Sequence, residues 1–215
     1  MSQPATKRKF IPEGIYNKHI MPNMIIACGD AIVTTPRGVL LGRRLNPPMQ
    51  GELWFPGGRL HKGEEIEKSI ITNVKNETGL LVAVVPGLFP IIGDTLFTVG
   101  QDRHSINTTL VVKSTGGTLC LGADITDPQF ITTIEPGLHP YIKEVLNRSG
   151  IFNQELQETI LNGGVVSFHH QLPGIVRYDE TDPKVAHVQI QRLMRVNPEA
   201  AKTEQEKLRL LIREL

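Results

Sequence analysis

At 215 residues, with 40% hydrophobic and 21% charged side chains, the chain has room for one domain plus an extension and is neither collagen-like nor wholly disordered. Its 23 basic and 22 acidic residues leave a net charge of +1, which gives no general field for nucleic acid, so any anion must be met by a local cluster. Cys28 and Cys120 lie far apart, frame no zinc spacing and fit a reducing, cytoplasmic setting.

Residues 1–22 are interrupted by Pro4, Pro12 and Pro22 and read as an arm with little regular structure. No apolar run follows Lys7, Arg8 and Lys9, so a signal peptide is not expected. The most apolar uncharged stretch, 78–93, is broken by Pro86, Gly87 and Pro90 and is too short for a membrane span, so no membrane partner is expected. Two apolar runs, 24–34 and 38–43, flank a turn at Pro36 and Arg37 and predict a hairpin. A Pro/Gly-rich segment, 46–58, precedes a predicted helix over 64–77, in which Ile66, Ile70 and Val74 form one apolar stripe and Gly79 is the stop.

Further strands are predicted over 80–85, 88–97, 106–113 and 129–133, so a mixed sheet with a helix against it follows. Helices are expected over 141–147 and 155–161, and a short strand over 165–168. The tail opens with Asn197 as N-cap and Pro198 in the first turn. Leu208, Leu211, Ile212 and Leu215 then make an amphipathic terminal helix, suited either to docking on its own domain or to a partner. The division is an arm (1–22), a core domain (23–150) and a mainly helical extension (151–215).

Chemistry concentrates in 54–80, WFPGGRLHKGEEIEKSIITNVKNETGL. A glycine-rich turn feeds a helix that carries Asn73, Asn76 and Glu77 three and four positions apart, which places their oxygens on one face. Mg2+ takes hard oxygen ligands, keeps waters, and is held by one or two carboxylates together with substrate phosphates. A carbonyl of Gly57 or Gly58 can join such a set, because glycine lets the main chain approach closely.

This segment resembles the Nudix box, G-x5-E-x7-R-E-U-x-E-E-x-G-U with U aliphatic. Gly58, Glu64, Val74, Glu77, Gly79 and Leu80 fall on its positions, whereas Thr72, Asn73 and Asn76 replace its arginine and two of its glutamates. Asparagine supplies an oxygen but neither charge nor a base. The longer run 40–65, LLGRRLNPPMQGELWFPGGRLHKGEE, is similar to the GDP-mannose mannosyl hydrolase branch of that superfamily, whose box also keeps only its last glutamate.

The resemblance implies a Nudix-type α/β (α+β) fold with a mixed sheet between helices, one Mg2+, and a homodimer. It further implies attack of water on the sugar, with C–O cleavage and release of nucleoside diphosphate. Carried onto this chain, Gly57 and Glu77 bind the metal, and Arg44 and Arg59 contact the diphosphate. Asp124 falls near the branch's glutamine ligand, and Ile125 stands where its histidine base would be. Asp127, Asp124 and His104 are therefore the expected bases, in that order. The expected activity is Mg2+-dependent hydrolysis of a nucleotide sugar such as GDP-mannose. The alternative is an impaired Nudix-fold protein that binds a nucleotide sugar for regulation.

Overall fold

Strand β1 (Ile26–Thr35) sends alternate side chains to two faces, Ala31 and Val33 to one and Cys28, Asp30 and Ile32 to the other. In this computed structural model, which describes residues 11–98, 103–166, 174–182 and isolated positions from 169 to 206, β1 turns at Pro36 and Arg37 into the antiparallel β2 (Gly38–Arg44). The expected hairpin is therefore present. Strands β3 (Leu53–Trp54) and β4 (Gly57–Arg59) follow, the first on β2 and the second antiparallel to the start of β1.

Helix α2 (Ile66–Thr78) ends at Gly79, whose φ of 72° is left-handed, and a Cβ there would meet the Thr118 carbonyl oxygen. Strand β5 (Leu80–Val84) leaves the helix, and β6 (Ile91–Phe97) pairs antiparallel with the 15-residue β7 (Arg103–Gly117). Strand β7 also runs parallel to β1, from Ile26 opposite Ser105 to Thr34 opposite Lys113, and its far end takes up β5. Strand β8 (Ile125–Ile131) covers β2, with a register shift between Leu41 and Arg43 that admits Pro128. The order is β3-β2-β1-β7-β6-β9, where β9 (Ile175–Asp179) is a parallel edge strand on β6.

Ile70 and Val74 of α2 pack on Ala31, Val33, Leu110 and Val112. On the opposite face, α3 (Pro140–Ser149) buries Tyr141, Ile142, Val145 and Leu146 against Ile32, Leu41, Trp54 and Val111. Helix α4 (Gln154–Leu161), capped by the Asn153 side chain, adds Leu156 and Ile160 to that second core, and Val176 and Tyr178 of β9 complete it. The mixed sheet between helices is thus as expected. Among the described residues, no helix is long and apolar enough to cross a membrane.

Several boundaries differ from the sequence reading. Residues 13–20 are helical, as α1 (Glu13–Ile15) and a π-helical turn (Tyr16–Ile20) anchored on the Pro12 carbonyl. The arm is ordered there because Tyr16 is buried. Strand β6 starts at Ile91 rather than at 88, since Phe89 exchanges backbone hydrogen bonds with the Gln171 side chain and Pro90 has no N–H to give. Strand β9 was not anticipated. Val165 and Val166 lie outside any strand, and the rest of the expected 165–168 strand, like Leu208 to Leu215, lies outside the described residues.

Candidate active site

The glycine turn is fastened to β1 by pairing that sets Gly57 opposite Asp30, Gly58 opposite Gly29 and Arg59 opposite Cys28. A Cβ on Gly57 would collide with the Asp30 carboxylate and the Gly29 carbonyl oxygen, so glycine is required for this approach. From the last turn of α2, Glu77 reaches back to the same point, where its Oε2 accepts the Gly57 N–H at 2.8 Å. Two carboxylates, Asp30 and Glu77, therefore meet at one glycine.

They line a cavity of about 760 Å3, together with Arg44, Arg59, Arg103 and Asp124. Burial pushes the Asp30 carboxyl up to about 7, against the pull of Arg44. Burial likewise raises Glu77 to about 7; the Gly57 N–H opposes the rise, and the neighbouring charges of Asp30 and Asp124 add to it. Arg44 is itself lowered by burial, and Asp30 holds it back. Its Nε donates to the Pro48 carbonyl at 2.8 Å, and its guanidinium lies 5.7 Å from the Trp54 ring centre. The Arg59 guanidinium stacks 4.0 Å over Tyr16.

Of the expected site residues, Gly57, Glu77, Arg44, Arg59 and Asp124 are brought together. Asp124 accepts from Asn46 Nδ2 at 2.7 Å, and its carbonyl accepts the Leu45 N–H. Asp127 and His104 are not among the lining residues. Asp127 forms an exposed ion pair with Arg43 at 3.0 Å, and His104 pairs with Asp94 at 3.0 Å across β6 and β7. The asparagines also separate: Asn73 is buried and donates to the Arg59 carbonyl, while Asn76 faces solvent. Their oxygens do not form one ligand face with Glu77, because the helix turns Asn73 under the glycine turn.

The sequence reading missed Asp30. Its signal was a lone acid within the apolar run 24–34, on the same strand face as Cys28. Burial and the Asp30 charge push the Cys28 thiol up to about 12, so it is an inert wall of the cavity. Tyr16, Ser105 and Asn107 also line the cavity, and nothing in their local sequence marks them.

Among the described residues no group of three acidic, histidine or cysteine side chains forms a metal cage. The donors at the turn, a Gly57 carbonyl with the Glu77 carboxylate and Asp124 nearby, instead suit a hard cation that draws its remaining ligands from water and substrate.

No protein-family model matches the chain. It is 28% identical over 131 residues to the low-salt glycan biosynthesis protein Agl8 of Haloferax volcanii, covering 60% of this chain and 84% of that protein. It is also 28% identical over 116 residues to an ADP-ribose pyrophosphatase of Methanocaldococcus jannaschii, covering 54% and 64%. Similar solved structures include a MutT protein from Methanosarcina mazei, at 16% identity and a TM-score of 0.49 over 60% of this chain and 96% of that one. Another is a Nudix hydrolase from Nitrosomonas europaea, at 15% identity and a TM-score of 0.48 over 71% and 79%.

Proposed function

We propose that the chain is a Mg2+-dependent hydrolase of the Nudix type acting on a nucleoside diphosphate sugar, GDP-mannose or a relative, and releasing nucleoside diphosphate and sugar. One observation carries this reading: a single cavity of about 760 Å3 gathers Arg44, Arg59, Glu77, Gly57 and Asp124, and that volume lies within the range of small-molecule sites. The likeness to an ADP-ribose pyrophosphatase and to a glycan biosynthesis protein is consistent with a diphosphate-linked sugar as substrate.

The Gly57 carbonyl and the Glu77 and Asp124 carboxylates would hold the ion. When bound, Mg2+ supplies charge neutralisation to the diphosphate leaving group. Arg44 and Arg59 orient the diphosphate through paired N–H donors, and the loss of two box carboxylates, at Asn73 and Asn76, lessens repulsion of that anion. Asp30, with its carboxyl lifted to about 7, has the proton affinity to take a proton from water near neutral pH. It stands beside the turn, whereas Asp127 and His104 are engaged outside the cavity.

The reading is tested by a screen of nucleoside diphosphate sugars with Mg2+, measuring nucleotide and reducing-sugar release. Run in 18O water, attack at the sugar puts the label in the free sugar. Label in nucleoside monophosphate or sugar phosphate would instead mean P–O cleavage. Glu77→Gln and EDTA should each abolish turnover, and retained turnover in either would remove the metal role. Calorimetric binding with no product over hours would favour the binding-protein alternative.

A further inference from the structure

Among the described residues, Tyr16 Oη and Arg103 Nε are buried without a hydrogen-bond partner, and both belong to residues lining the cavity. Both are donors. A buried donor with nothing to accept from it is unfavourable, and native proteins rarely keep one unless a ligand, ion or water completes it. The two residues meet on one segment: the Arg103 Nη2 lies 3.3 Å from the sulfur of Met21, and the Met21 N–H donates to the Tyr16 carbonyl at 2.9 Å. Arg59 stacks on the Tyr16 ring.

Two arginines elsewhere in the fold are neutralised by carboxylates. Arg43 pairs with Asp127 and Arg148 with Glu144, whereas Arg59 and Arg103 have no carboxylate partner among the described residues. Arg103 stands on the same face of β7 as Ser105 and Asn107, which also line the cavity. Its charge is felt there: together with Arg44 and Arg59 it lowers the Cys28 thiol against burial. Positive charge and unfilled donors thus converge on the segment 11–21.

We propose that Tyr16 and Arg103, neither of which lies in the glycine-rich box, form a second phosphate-binding element that acts with Arg59 to grip the substrate's diphosphate under the N-terminal segment. This inference rests on the diphosphate-sugar reading above. The ligand chemistry follows from the donors: a guanidinium Nε and a phenol hydroxyl, both buried and without acceptors, match an anionic phosphate oxygen.

The test compares Arg103→Met, Tyr16→Phe and Arg44→Gln in the full chain, measuring affinity for GDP and for inorganic pyrophosphate with Mg2+ by calorimetry, and the Tm of the free protein. Arg103→Met should weaken both ligands by about tenfold or more, the loss of one charge-assisted contact, and Tyr16→Phe by a few-fold. The free-protein Tm of both variants should be unchanged or higher, because each removes an orphaned donor. Unchanged affinity in both variants, with a clear loss in Arg44→Gln, would overturn this inference alone, as would a fall in free-protein Tm with affinity intact. Failure of the wild-type protein to bind either ligand would overturn the diphosphate reading and this inference together.

Discussion

The α2 side of the β1–β7 pair carries Ala31, Val33, Leu110 and Val112 against Ile70 and Val74, whereas the opposite side of the same two strands carries Cys28, Asp30, Ser105, Asn107 and Thr109. On the first side the buried polar groups are bonded: Thr78 Oγ1 donates to the Val74 carbonyl, and Asn73 donates to the Arg59 carbonyl. On the second, Tyr16 and Arg103 each leave a buried polar atom without a partner. Burial there also lifts Asp30, Cys28 and Tyr141 well above their ordinary proton affinities. Alternation along a strand lets one sheet serve both purposes. One face is closed along its length, while the other closes against α3 at Ile32 and Val111 and keeps, at its cavity end, buried groups that a ligand can complete.

If that division holds, substitutions on the two sides should fail in opposite ways. The largest expected effect is on the cavity side: Asp30→Asn should lower kcat by about 10²–10⁴-fold, as for the loss of a general base, while leaving the fold intact. Steady-state kinetics alongside circular dichroism would show it, and undiminished kcat would remove Asp30 from the chemistry. On the closed side, Ile70→Ala should cost about 2–5 kcal/mol of stability, because the side chain is fully buried between α2 and the sheet. Urea unfolding measures that loss, and KM of the folded fraction should not move. A variant of Ile70 that altered KM while stability held would break the comparison.

The closed side was also the more legible one. The stripe of Ile66, Ile70 and Val74 and the stop at Gly79 specify α2 by local periodicity, and the helix runs from Ile66 to Thr78. Gly57, Glu77, Arg44 and Arg59 could be found because they lie within one run of sequence whose order resembles a box. The rest of the cavity comes from pairings remote in sequence, such as the register that sets Asp30 opposite Gly57 and the packing of Tyr16 on Arg59. Asp127 and His104 looked available as bases because sequence shows a side chain's type but not its partner, and here Arg43 and Asp94 engage them. Strand β9 escaped notice because it is short and an edge, with only Val176 and Tyr178 buried.

A third experiment sets the two faces against each other in a single measurement. In the folded, metal-free chain Asp30 and Glu77 keep their protons up to about 7, whereas unfolding returns them to their ordinary values of 3.8 and 4.5. Between those limits the folded state binds more protons than the unfolded one, so stability falls as pH rises and the full cost is in place above 7. In EDTA, Tm should therefore drop between pH 5 and pH 8, by about 2–4 °C for each kcal/mol lost in a chain of this size. Asp30→Asn should flatten the slope and raise Tm at pH 8, since the amide carries no charge to bury. Ile70→Ala should lower the whole curve and leave its slope unchanged, because it removes packing and no titrating group. Mg2+ with GDP should restore stability most at the alkaline end, where both carboxylates are ionised and can be used. A metal-free Tm that rises from pH 5 to pH 8 in wild-type protein would mean that these carboxyls ionise freely in the folded chain and that the cavity face is not held in an unfavourable state.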